Sequence, residues 1–186
     1  MKRIMTVLAV AGLCAAAAKP AMAQGTTLGI GVGITNPMSD YGDKNVYGDK
    51  MGFHFGVGGS FALGTAPVRL RVEATYTQTA HQDAVGSGNT KLMGGMVSVV
   101  YPFATAGKIK PYILGGVGLY NIKESLADTS KTSVGFGGGA GIRFPMSSAS
   151  LFVEARYLTA KAFDLTFAQL PVTVGLTFPM GGSKHK

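Results

Sequence analysis

The stretch that decides the fold is Leu170-Pro171-Val172-Thr173-Val174-Gly175-Leu176-Thr177-Phe178, near the end of the chain. Every second residue in it is apolar, and the residues between them are small or polar. Alternation with period two is typical of a β-strand that has one apolar face. The length suits a tilted strand that crosses a bilayer, which takes about 9–11 residues.

The same alternation recurs along the chain, and it predicts strands at residues 27–35, 51–63, 68–77, 91–103, 111–122, 132–144, 150–158 and 170–178. Hydrophobicity spread as alternation is typical of outer-membrane barrels. Unpaired backbone groups are very unfavourable in hydrocarbon, so such a sheet must close. The sequence therefore predicts an all-β fold, an eight-stranded antiparallel up-and-down transmembrane β-barrel.

The first 23 residues have the organisation of a cleavable signal peptide. Lys2 and Arg3 precede an apolar segment, and Ala21-Met22-Ala23 forms a small-x-small cleavage site. The apolar segment stops at Lys19, which is too early for a helical span of about 18 residues or more. The predicted domains are a signal peptide at 1–23, a barrel at 24–178 and a short basic periplasmic tail at 179–186. The expected location is the outer membrane of a Gram-negative cell.

Composition excludes several classes of function. The formal charge is +8, but three of the cations lie in the leader and the others form no basic stripe, which argues against nucleic acid as a partner. The one cysteine, Cys14, also lies in the leader. The mature chain is therefore expected to have no disulfide, thiolate metal site or cysteine nucleophile.

The predicted connections alternate in length. Residues 64–67, 104–110 and 145–149 form the short ones, and residues 36–50, 78–90, 123–131 and 159–168 form the long ones. Outer-membrane barrels have short periplasmic turns and long extracellular loops, so both termini are expected in the periplasm.

Aromatic residues are expected in two girdles at the headgroup level. The periplasmic girdle would contain Phe61, Tyr101, Phe103, Tyr112, Phe144 and Phe178. The extracellular girdle would contain Phe53, Tyr76, Tyr120 and Tyr157. In the fifth strand, Tyr112, Leu114 and Tyr120 are assigned to the lipid-facing side.

The inward-facing positions carry a polar network. Its members are Arg69, Arg71, Glu73, Arg143, Glu154 and Arg156, with His54 nearby. An eight-stranded interior is just wide enough for side chains, so we expect a polar plug in which Glu73 and Glu154 pair with the arginines. The alternative function for the network is a gated pore or proton path.

The sequence offers no catalytic, cofactor or metal site. His54, His81 and His185 lack metal-ligand neighbours, and are expected in the lumen, a loop and the tail. The segment 39–50 resembles a calcium loop without its closing glutamate, and is expected to be a solvated surface loop. The glycines of 135–141 lie within a strand, which excludes a nucleotide loop.

Several short motifs in order carry a resemblance to a known family. They are the leader ending at Ala23, the segment 111–118, the Val-Glu-Ala-x-Tyr strands at 72–76 and 153–157, and the terminal strand ending in Phe178. Together they resemble the OmpA/OmpX-like small outer-membrane β-barrel (porin-like) family. The resemblance implies a barrel inserted by the barrel-assembly machinery among outer-membrane lipid and lipopolysaccharide. The 179–186 tail departs from the family and is too short for a peptidoglycan-binding domain, and no His-x-Ser pairing like that of lipid A deacylases is present.

Three functions are compatible with this sequence. The first is a monomeric structural or surface-interaction protein without catalysis, which acts through its extracellular loops in adhesion, host or phage contact, or envelope integrity. The second is a narrow channel for small solutes through the charged lumen. The third is a soluble periplasmic barrel that binds a small apolar ligand, which would require the charges to face water.

Overall fold

The computed structural model describes residues 25–43, 48–81, 88–125, 129–162 and 164–180. The predicted signal peptide, most of the predicted tail and His185 lie outside these residues. The strands are β1 (Thr26–Met38), β2 (Gly52–Ala62), β3 (Arg69–Ala80), β4 (Asn89–Pro102), β5 (Lys110–Glu124), β6 (Thr129–Pro145), β7 (Ser150–Ala162) and β8 (Leu165–Met180). They form one closed antiparallel barrel in sequence order, which confirms the predicted fold class.

The barrel closes through the pairing of the first and last strands. This antiparallel ladder runs from Thr26↔Met180 to Met38↔Ala168. Closure leaves no strand edge exposed, which is what a sheet in hydrocarbon requires. Strand β8 continues past Phe178 to Met180, so the first residues assigned to the tail belong to the barrel. Among the described residues, no helix is long and apolar enough to cross a membrane.

The outer surface of the barrel is apolar. Large apolar side chains on it are 36–61% exposed. The arginines and glutamates of β3 and β7 point inward, whereas Lys91, Lys123 and Lys161 are exposed. The predicted outward faces of seven strands are confirmed. An apolar exterior around a charged interior is the reverse of what a soluble periplasmic barrel needs, so that alternative does not fit the structure.

The prediction for β5 was wrong. Tyr112, Leu114 and Tyr120 lie inside the barrel, only 3%, 6% and 2% exposed, and so do not join the girdles. Both faces of β5 carry apolar residues, so alternation within this strand does not fix its phase. The phase of β5 is fixed instead by its register with β4, because Val117 is paired with Val97, whose side chain points outward. The lipid-facing side chains of β5 are Ile113, Val117 and Leu119.

Two of the predicted long connections are short hairpins. The β5–β6 ladder continues to Glu124↔Thr129, and the β7–β8 ladder to Ala162↔Leu165. In the β5–β6 hairpin mostly polar residues remove the apolar alternation, while backbone pairing continues. In the β7–β8 hairpin the apolar residues Ala160, Ala162 and Phe167 instead face inward. Strands β5 and β6 contain 15 and 17 residues, well above the ~9–11 that cross a bilayer. This hairpin therefore extends beyond the hydrocarbon band at the end that holds the longest connection, residues 39–51.

Candidate functional site

The barrel interior is divided into two halves of different chemistry. The half nearest the short connections 63–68, 103–109 and 146–149 contains the arginines together with Glu73 and Glu154. The half nearest connection 39–51 contains a cluster of buried apolar residues. Both halves are built by inward-facing positions of the same strands, so the polar and the apolar groups share one lumen.

Four of the six predicted network residues are brought together: Arg71, Glu73, Glu154 and Arg156, called here the charge network. At its centre is Glu154, which is 1% exposed. Its Oε2 accepts hydrogen bonds at 2.7 Å from Arg71 Nη1 and at 2.7 Å from the hydroxyl of Tyr112, and its Oε1 accepts one from Arg156 Nε. The sequence prediction had placed Tyr112 in the lipid and missed this contact.

The second carboxylate of the network is bound bidentately. Arg156 Nη2 donates to Glu73 Oε2 at 2.7 Å, and Nη1 donates to Oε1. Arg71 also lies 3.8 Å from Glu73. Fork-to-carboxylate pairs of this kind are among the strongest side-chain hydrogen bonds, and they compensate charges that burial would otherwise penalise. The network links β3 to β7 across the lumen.

The other two predicted residues stand apart from both carboxylates. Arg69 Nε donates to Ser60 Oγ at 2.9 Å, and its Nη2 donates to the carbonyl oxygen of Gly25. Arg143 lies over the ring of Tyr112 at 5.7 Å, a cation–π contact. The Nε of Arg143 is buried and has no hydrogen-bond partner among the described residues. His54 is in the lumen as predicted, with Nδ1 3.0 Å from Thr77 Oγ1.

Glycines make room for these long side chains. Gly139 is paired with Arg156, and a Cβ on it would come within 2.2 Å of the Ala155 carbonyl oxygen. Gly141 is paired with Tyr112, and a Cβ there would lie 2.5 Å from the tyrosine ring. Any larger residue would displace the strand or the ring, so these glycines hold the network close to the barrel wall.

The other half of the interior is filled by an apolar plug. Its members pack into one cluster of buried side chains: Tyr41, Leu92, Met96, Tyr120, Ile122, Leu158, Ala160, Ala162 and Phe167. Tyr41 comes from the short 3₁₀ helix Ser39–Tyr41 and lies against Phe167, with ring centroids 5.3 Å apart. The described parts of the connection, residues 39–43 and 48–51, thus reach the barrel mouth, where Tyr41 packs into the plug.

A chain of hydrogen bonds holds this connection in place. Thr79 Oγ1 donates to Asp49 Oδ2 at 2.5 Å, and the hydroxyl of Tyr41 is 2.5 Å from Thr79 Oγ1. A threonine hydroxyl has one hydrogen to give, so Tyr41 is the donor in the second bond. Burial raises the pKa of Tyr41, which keeps its hydroxyl protonated, and burial also raises the pKa of Asp49.

Beside this chain, His81 lies between two carboxylates. Its Nδ1 is 3.4 Å from Asp49 Oδ1, and its Nε2 is 3.3 Å from Glu124 Oε1. We call Tyr41, Asp49, Thr79, His81 and Glu124 the mouth cluster. His81 lies outside the strands, as predicted for a loop residue, but its side chain is buried. The prediction of a solvated 39–50 loop was wrong for Tyr41 and Asp49, which are buried. Extending the inward phase of β3 beyond its predicted end would have placed Thr79 and His81 inside.

The mouth cluster has no metal-binding geometry. Within the described ranges, no group of three or more His, Cys, Asp or Glu side chains is placed to hold a metal ion. The interior as a whole therefore offers two internally bonded clusters and an apolar plug between them. This arrangement is that of a closed β-barrel with a largely filled interior.

Comparisons with known proteins give the family. The model of the outer membrane protein beta-barrel domain matches residues 5–178, and the chain belongs to that family. It is a small outer-membrane barrel of the OmpA/OmpX-like kind. A search of curated proteins finds no match.

Solved structures share the fold at low sequence identity. Neisserial surface protein A is 19% identical over 84% of this chain and 97% of its own, with a TM-score of 0.66. The outer membrane enzyme PagL is 20% identical over 83% of this chain and 99% of its own, with a TM-score of 0.52. Ail, the attachment invasion locus protein of Yersinia pestis, is 19% identical over 82% and 97%, with a TM-score of 0.46. At these identities the likeness concerns the fold.

Proposed function

We propose that this protein is a non-conducting outer-membrane barrel that acts through its extracellular face in contacts with other surfaces. The observation that carries the proposal is the filled lumen. The charge network fills one half and the apolar plug fills the other, and Tyr41 closes the mouth from above. Because Tyr41 is buried among apolar side chains at the mouth, we expect no continuous aqueous path for a solute through the described part of the barrel.

The extracellular face itself supports a role in contact. The β5–β6 hairpin extends past the membrane band, and connection 39–51 is fixed beside it by the mouth cluster. An ordered surface loses less conformational entropy on binding than mobile loops do. The end of this hairpin beyond the buried Ile122 and Glu124 is therefore the part of the chain best placed to meet a partner outside the cell.

Catalysis is not part of the proposal, although a solved structure with this fold is an enzyme. A lipid-modifying enzyme needs its nucleophile and base on the lipid-facing surface. Both described histidines, His54 and His81, are instead buried inside the barrel, each 3% exposed. Neither can reach a lipid from there without a change in the strand register.

The test uses cells that lack the protein and are complemented with variants. In one variant a two-residue Asn-Gly turn replaces residues 125–128 between the paired Glu124 and Thr129, so that the buried Ile122 and Glu124 are kept. The control variant is Lys108→Ser, at the opposite end of the barrel. Heat-modifiable mobility on a gel establishes that each barrel is folded.

Attachment to an epithelial monolayer and resistance to detergent are then compared. We expect the shortened variant to lose attachment and keep resistance, while Lys108→Ser keeps both. If the shortened variant keeps both properties, the hairpin has no contact role. If both properties are lost although the barrel is folded, envelope integrity is the better account.

A further inference from the structure

The half of the lumen nearest the short connections has more cations than its carboxylates can neutralise. Among the described inward-facing residues there, Glu73 and Glu154 are the acids, and they are bound by Arg71 and Arg156. Arg69 and Arg143 are additional guanidinium groups in the same space. Lys110 of β5 is paired with Arg143 and adds a further cation at this level. The excess positive charge attracts anions.

A cavity lies beside this excess charge. It has a volume of about 40 Å³, and Arg71, Arg143 and Arg156 line it together with the hydroxyl-bearing Thr27, Ser60 and Thr177. Glu73 also lines it, but both of its carboxylate oxygens are bound by Arg156. Glycines of β1 and β2, which contribute no side chain, form part of the wall beside His54, Phe152 and Thr173. This volume holds about three waters, since one needs ~10–15 Å³, and it also suits one small oxyanion.

One of the arginines that line this cavity has a donor without an acceptor. The Nε of Arg143 is buried, and no described residue accepts a hydrogen bond from it. Its guanidinium is held in place by the ring of Tyr112, which is itself bonded to Glu154. Buried charged donors without a partner are rare in folded proteins, and each such case calls for an acceptor. Arg143 also lines the cavity, so a ligand there would meet its side chain.

We propose that this cavity is a binding site for a small tetrahedral oxyanion, such as phosphate or sulfate, which enters from the periplasmic end. Arg143 provides the charged donor, and the hydroxyls of Ser60 and Thr27 provide neutral donors. The cavity is separate from the extracellular face, so this proposal does not depend on the proposed role in surface contact. Free phosphate and phosphate monoesters share this chemistry, and the small volume favours the free ion.

The test is a calorimetric titration of the refolded full barrel in detergent with inorganic phosphate, in chloride buffers of constant ionic strength. We expect saturable binding of one phosphate per barrel. Arg143→Gln should weaken it by about tenfold or more, because a charge-assisted hydrogen bond is lost. Lys161→Gln removes the same charge from an exposed position at the other end and should leave the affinity unchanged.

A cavity-filling variant keeps the test decisive if Arg143→Gln does not fold. A Cβ added at Gly29 would lie 3.4 Å from Thr177 Cγ2, an ordinary contact, so Gly29→Ala should be accepted. It should weaken phosphate binding while all the arginines remain. Binding of glycerol phosphate as tightly as inorganic phosphate would favour a monoester as the natural ligand. Absence of saturable phosphate binding in the wild type, or equal weakening by Arg143→Gln and Lys161→Gln, would overturn the proposal.

Discussion

The two halves of the barrel interior differ in chemistry, although the same eight strands build both. Near the periplasmic turns, buried arginines and glutamates neutralise one another around Glu154. Near the extracellular mouth, Tyr120, Leu158 and Phe167 pack as an ordinary core. The stability of the charged half requires every member of the charge network, because removing one charged side chain leaves the opposite charge of its partner buried and uncompensated. In the apolar half, the loss of stability should instead grow with the volume of side chain that is removed.

The largest expected effect comes from the centre of the charged half. Glu154→Gln leaves Arg71 and Arg156 short of a carboxylate in a buried position. We expect a loss of about 3–5 kcal/mol in the free energy of unfolding, measured by urea unfolding in lipid vesicles. The double variant Glu154→Gln with Arg71→Met is the control, and should be less destabilised than the sum of the two single variants. Additivity would show that the two side chains do not act as a pair.

A cavity in the apolar half should have an effect of similar or smaller size. Leu158→Ala removes a buried side chain of the plug, and we expect a loss of about 2–5 kcal/mol in the same assay. Leu170→Ala, on the lipid-facing side of β8, is the matched control and should destabilise less. If the two variants were equal, the plug would not be packed as a core.

A smaller effect is expected at the mouth. Tyr41→Phe keeps the ring against Phe167 but removes the hydrogen bond to Thr79. A buried hydrogen bond of this kind contributes about 1 kcal/mol. Amide hydrogen exchange should therefore become faster in connection 39–51 and stay unchanged in β7. Uniform faster exchange would indicate global destabilisation.

The smallest effect is a pH dependence at Asp49. Because burial raises the pKa of Asp49, the folded protein keeps a proton at pH values where the unfolded chain has released it. The contribution of Asp49 to stability is therefore greatest below its raised pKa and declines as the pH increases through that value. Thr79, Thr90, His81 and Glu124 face this carboxyl and modulate the shift.

Asp49→Asn removes this titration. Relative to the wild type, the variant should become more stable as the pH rises from about 4 to 7, which is measurable by urea unfolding at each pH. Lys50→Gln, at the adjacent exposed position, serves as the control. A difference between Asp49→Asn and the wild type that does not change with pH would contradict the assignment.

The charged half could be predicted from the sequence, and the apolar half could not, for one physical reason. A charge in an alternating strand marks the inward face by itself, so Arg71, Glu73 and Glu154 were placed correctly. An apolar residue fits either lipid or core, so the positions of Tyr112 and Tyr120 required the register with neighbouring strands. The mouth cluster was missed because its members are distant in sequence and lie where predicted strands ended too early.

The central claim is that the lumen is closed by these two halves, and single-channel conductance in planar bilayers tests it most directly. The refolded barrel, verified by heat-modifiable mobility, would be inserted at defined copy number and held at constant voltage. The account predicts no sustained conductance from the wild type. Stable, reproducible open-channel currents from the folded wild-type barrel would contradict it.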